Sequence, residues 1–119
     1  MDNQGLKNAF DQLTNYIGQV VQVMRVSSGN KRHALALLLI EQFGWHINDR
    51  QIRDIEMSRR RLSFAEFEKI CQATDFTVEG ALKAAVLLRQ KESEPKAEVL
   101  KETLDELDFQ TWKRRQNGD

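Results

Sequence analysis

Asn48-Asp49-Arg50-Gln51-Ile52-Arg53-Asp54-Ile55-Glu56-Met57-Ser58-Arg59-Arg60-Arg61-Leu62-Ser63 is the stretch on which the reading of this chain turns. Asn48 has the side chain of a helix N-cap, and Gln51 stands three residues on, where a capping box needs an amide or a carboxylate. Ile47 and Ile52 supply the matching hydrophobic staple. The spacing predicts a short polar helix that carries Asp49, Arg50, Gln51, Arg53 and Asp54 outward, while Ile52 and Ile55 anchor it inward. A basic turn from Met57 to Arg61 follows it. Ser63 and Glu66 then repeat the capping box, with Leu62 and Phe67 as the staple, so a further helix begins there.

Upstream, Leu6, Phe10, Leu13, Ile17, Val20 and Met24 recur at alternating steps of four and three, which predicts one helix from about Leu6 to Val26. Ser27-Ser28-Gly29 stops it, because glycine takes the left-handed geometry that ends helices. A second predicted helix opens near Asn30 or Lys31. Its residues Leu35, Ala36, Leu38, Leu39, Ile40 and Phe43 make it almost wholly apolar, hence expected to be central and buried, and Gly44 closes it. Downstream, Phe64, Phe67, Ile70 and Cys71 face inward from the fourth helix. A fifth, capped by Thr77 or Asp75, carries Val78, Ala81, Leu82, Ala85, Val86 and Leu88 at helical spacing. Pro95 fits the first turn of a sixth, where a missing N–H is harmless, with Leu100, Leu104 and Leu107 as its stripe and Trp112 as an extension. The residues from Lys113 to Asp119 are expected to fray.

A chain of 119 residues has room for one modest core plus a terminal element. With one proline, six glycines and no alternating β-branched run, the expected class is all-α: a main domain over residues 1–90 and an acidic C-terminal helix and tail over 91–119. Formal charge sums to zero but is unevenly placed. Eight bases stand against four acids from Arg25 to Arg61, a local +4, and seven acids against two lysines over residues 92–108, a local −5. No apolar run nears the ~20 residues that span a bilayer and no leader pattern opens the chain, so a cytoplasmic protein without membrane contact is expected. Cys71 is the sole cysteine, and His33 and His46 have no acid or thiol at metal-ligand spacing. No metal, cofactor or catalytic constellation is expected, and an enzyme is not the reading.

Taken in order, these elements resemble the helix-turn-helix family of lambdoid phage repressors and Cro proteins, the XRE-type regulators, over residues about 17 to 88. Arg25 followed by Gly29 resembles the end of that family's first helix, and Leu35-Ala36 its second. Ile52 with Ile55-Glu56 resembles the recognition-helix anchors and the acid after them. Ser58-Arg59-Arg60-Arg61-Leu62-Ser63 resembles its basic turn, and Ile70, Ala73 and Thr77 to Leu82 its last two helices. The resemblance implies a five-helix lambda-repressor-like domain, here with an additional C-terminal helix, acting as a sequence-specific DNA-binding regulator or repressor of bacterial, phage or plasmid type.

It further implies an ion pair between Arg25 and Glu56 that orients the third helix more than it stabilises it. Lys31, Arg32, Arg59, Arg60 and Arg61 would meet phosphates, Asp49, Arg50, Gln51 and Arg53 fall where the family reads base edges, and Asn48 belongs to the same DNA-binding set. The partner implied is double-stranded DNA, read as a palindromic operator by a homodimer. The long first helix and the acidic last one exceed a minimal domain of this type, and Trp45 and Trp112 suit an interface, which points to self-association or a protein partner on the C-terminal helix. Two departures stand out. Fifteen residues separate Ala36 from Ile52, more than the family's compact motif holds, implying a longer second helix and a looser connection. Ser58 replaces the glycine usual after the Ile-Glu pair. The alternative reading is a helix-turn-helix-fold interaction module without DNA readout: an antirepressor, antitoxin or host-factor inhibitor.

Overall fold

The computed structural model describes residues 3–92, and among them every regular element is helical. The helices are α1 (Asn3–Gln12), α2 (Thr14–Ser27), α3 (Arg32–Phe43), α4 (Asp49–Glu56), α5 (Phe64–Ala73) and α6 (Val78–Gln90). The sixth helix expected from Pro95 lies outside the described residues. None of the described helices is long and apolar enough to cross a membrane.

The single helix expected from Leu6 to Val26 is two. At Leu13 the backbone departs from the helical region (φ −110°, ψ 15°), and the hydrogen bonds tighten: Leu13 N–H donates to Phe10 O at 3.0 Å and Tyr16 N–H to Leu13 O at 2.9 Å. Phe10, Leu13 and Ile17 stay buried across this joint, so the apolar period runs through it unbroken and hides it from a sequence reading. The bend lets α1 pack on α2 and α6, while α2 continues against α4 and α6. Gly18 sits where α2 and α4 cross. A Cβ there would lie 2.4 Å from the Ile55 carbonyl oxygen, so the lack of a side chain sets the closeness of the two helices.

The second predicted helix, α3, is less buried than its composition suggests. Leu35, Ala36 and Leu39 enter the core, but Leu37 is 50% exposed and Leu38 and Ile40 are half-buried. Among the described residues, α4 and α5 are the helices that pack most closely on α3. The connection from α3 to α4, expected to be loose, is closely held. Gly44 takes the left-handed conformation, its N–H bonds Ile40 O at 2.9 Å, and Trp45 N–H bonds Leu39 O at 3.2 Å, so terminal carbonyls of α3 are satisfied. Ile47 is buried, and Asn48 opens α4 with both halves of the expected capping box. Trp45 lies half-buried against the core, with Lys69 Nζ 6.0 Å from its ring centroid.

Ser63 and Glu66 form the second expected box on α5, and Thr77 rather than Asp75 caps α6, its Oγ1 accepting from Gly80 N–H at 2.9 Å. Val20, Val21, Met24, Leu35, Leu39, Ile52, Ile55, Phe67 and Ile70 form the centre of the core, with Phe10 edge-on to Phe64 at its margin. Cys71 belongs to that core: its Sγ lies 3.9 Å from Met24 Sδ, and burial pushes the thiol well above its ordinary range.

Candidate nucleic-acid interface

α4 is eight residues long and amphipathic, and its inner side is anchored by charge as well as by apolar contact. Ile52 and Ile55 are fully buried; beside them Glu56 has a side chain with 0% exposure. Arg25, from the last turn of α2, approaches that carboxylate with two nitrogens: Nε to Oε2 at 2.6 Å and Nη2 to Oε1 at 3.1 Å. Its remaining Nη1 donates to the carbonyl of Asn30 at 3.0 Å, so the guanidinium also braces the turn after α2. This bidentate geometry fixes direction better than a point charge does.

Arg32, expected at a phosphate, is also drawn to Glu56. Its Nη2 lies 3.0 Å and its Nε 3.1 Å from Oε1, and its side chain is 36% exposed. One buried carboxylate therefore receives two guanidinium groups, and the cluster keeps a surplus positive charge at the solvent edge. Lys31, next to it, caps α3 in extended conformation with an exposed side chain.

The outer side of α4 is divided between structural and uncommitted groups. Asn48 Oδ1 accepts from Gln51 N–H at 2.8 Å, and Gln51 Oε1 accepts from Asn48 N–H at 3.0 Å. Asp49 Oδ1 accepts from Arg50 N–H at 2.9 Å. Acceptor oxygens of three residues expected to contact DNA are thus engaged at the helix start. Arg50 and Arg53 are exposed, and among the described residues neither side chain enters an ion pair.

The three consecutive arginines after α4 do not form one patch. Ser58 precedes them with φ 60°, the left-handed conformation for which the resembled family uses glycine. The backbone N–H groups of Arg59 and Arg60 both turn back to Asp54 O, at 2.7 and 3.2 Å. From there the side chains separate. Arg59 Nη1 is 3.9 Å from Asp54 Oδ1, Arg60 Nη2 is 3.5 Å from Glu66 Oε2, and Arg61 Nη2 is 3.4 Å from Thr14 Oγ1. Arg59 stays beside α4, Arg60 turns to the first turn of α5, and Arg61 reaches the start of α2. The structure thus brings Arg25, Arg32 and Glu56 together and spreads Arg59, Arg60 and Arg61 apart.

Three groups escaped the sequence reading. Asn30 contributes a backbone carbonyl, for which no side-chain signal exists. Thr14 sits at a helix start hidden by the continuous apolar period. Glu66 uses Oε1 for the cap at 2.9 Å and Oε2 for Arg60, a double use that the capping spacing alone does not reveal. Comparison with known proteins finds no matching family, no matching curated protein and no matching solved structure.

Proposed function

We propose that this chain is a sequence-specific DNA-binding regulator of lambda-repressor-like type, with α2 to α6 as its five helices and α3 and α4 as the helix-turn-helix pair. The observation that carries the reading is the contrast on α4: a short helix locked through Ile52, Ile55 and Glu56 presents Arg50 and Arg53 to solvent without an ion-pair partner among the described residues. An arginine fork suits the O6 and N7 acceptors of guanine in the major groove. Lys31, at the start of α3, and Arg59, just after α4, are exposed and suit phosphates. A two-fold dimer would set two copies of α4 about one DNA turn, roughly 34 Å, apart and so read a palindrome. The role is cytoplasmic binding without catalysis, metal or cofactor.

Selection from a randomised duplex pool, followed by titration over a salt series, tests this reading. Enrichment of a defined site and affinity that falls steeply with salt are the expected results. Changing Arg50 and Arg53 together to alanine should abolish site preference while moving stability by no more than ~0.5 kcal/mol, as for exposed side chains in general. Binding that ignores sequence, or is indifferent to salt, sinks the proposal. A second reading, a protein-binding module on the same scaffold, draws on one observation: Asn48 and Gln51 turn their acceptor oxygens to the cap rather than outward.

A further inference from the structure

α3 carries an unbroken apolar run from Ala34 to Ile40, more than one buried face of a helix needs. At about 100° per residue, Leu35 and Leu39 turn into the core and Leu37 turns the opposite way, where it is 50% exposed. Ala34 and Leu38 beside it are half-buried. Lys31, His33 and Glu41 frame this outer face; all three are exposed, and none enters an ion pair among the described residues. Their order is the reverse of what a helix dipole favours, with the bases at the start of α3 and the acid in its last turn.

A second copy of α3 running antiparallel answers both ends at once. His33 lies four residues before Leu37 and Glu41 four residues after it, so a two-fold axis at Leu37 sets the basic start of each helix beside the Glu41 end of the other. The same operation lays Leu37 on its counterpart, with Ala34 and Leu38 around them, and takes that apolar surface out of water. A contact between identical faces must complement itself, and this face does so in charge as well as in apolar shape. We infer that the outer face of α3 is a homodimer interface, the two copies crossing antiparallel at Leu37. One face of a twelve-residue helix is small, so the association is weak and concentration-dependent, not obligate. Arg50 and Arg53 lie on α4 and take no part in it. The contact forms with or without DNA, and it would supply the two-fold of a palindrome-reading dimer.

Sedimentation equilibrium of the full chain, without DNA and over a wide range of concentration, tests this. Reversible dimerisation is expected. Leu37→Glu should weaken it by ~10-fold or more, because two carboxylates then meet across the axis. Since Leu37 already stands half in solvent, urea unfolding should show that this variant still folds cooperatively. His33→Glu and Glu41→Lys should each weaken the dimer, and the two combined in one chain should restore it, because only an antiparallel contact sets one position against the other. A chain that stays monomeric at every concentration overturns the proposal. So does a dimer that ignores Leu37→Glu, which would place the contact elsewhere, or a combined variant that associates no better than the single ones. With no DNA in the cell, such a failure is distinct from a failure of the DNA-binding reading.

Discussion

The two sides of α4 differ in how completely their charges are answered. Inside, one carboxylate is gripped by two guanidinium groups within 3.1 Å, and every polar contact points toward α2 or the start of α3. Outside, Arg50 and Arg53 stand on the same eight residues with no internal ion pair among the described residues. A helix this short has little stability of its own, so its orientation comes from the inner side. On the outer side Arg50 and Arg53 take no part in an ion pair among the described residues, although Asn48, Asp49 and Gln51 serve the helix start. That division makes the two sides separable by mutation.

The largest effect expected is at the inner side. Glu56→Ala removes the shared acceptor and strands Arg25 as a buried, unpaired cation; loss of about 3–5 kcal/mol in urea unfolding is expected. A loss of about 1 kcal/mol or less would place this pair with ordinary surface contacts and break the contrast. Next is Gly18→Ala. Its Cβ would lie 2.4 Å from a backbone oxygen, so α2 and α4 must separate, and about 1–3 kcal/mol of destabilisation is expected by the same measurement. If the variant is as stable as the parent, the closeness of this crossing is not what fixes α4.

Ser58→Gly should act in the opposite direction. A residue other than glycine held at φ 60° costs roughly 1 kcal/mol, so the glycine variant should unfold at slightly higher urea while the contacts of α4 stay unchanged. The smallest effect lies far from α4. The hydrogen bond to Glu92 raises the Tyr16 phenol above its ordinary pKa of 10.0, helped by desolvation and the Glu92 charge and opposed by Arg89. Because the folded value is the higher one, the stabilisation is complete below pH 10 and is lost as pH rises through the raised value. Tyr16 is the only tyrosine, so absorbance titration reads it directly, and Glu92→Gln should lower its midpoint.

Much of the scaffold was legible because it depends on local chemistry. Two capping boxes, the Gly44 stop and the inward set Ile52, Ile55, Phe67 and Ile70 follow from side-chain type and spacing within a few residues. The break at Leu13 was not legible, since the hydrophobic period records which face is buried and not whether the axis bends. Nor was the exposure of Leu37, because composition does not say how many neighbours a helix has. At the candidate site, Arg25 and Glu56 form a two-point ion pair between residues 31 positions apart, a contact that local spacing does not encode. Gln51, expected at a base, also places its oxygen at the Asn48 cap, as the capping-box spacing implies. The separate directions of Arg59, Arg60 and Arg61 depend on a left-handed Ser58 and on acids from two other elements, which three identical letters cannot encode.

The Arg32 contact carries a mechanical consequence. An anion at the mouth of α3 that drew Arg32 outward would leave Glu56 still clasped by both arms of Arg25. The molecule thus owns a spare grip: one hand can let go of the carboxylate while the other keeps the short helix from rolling.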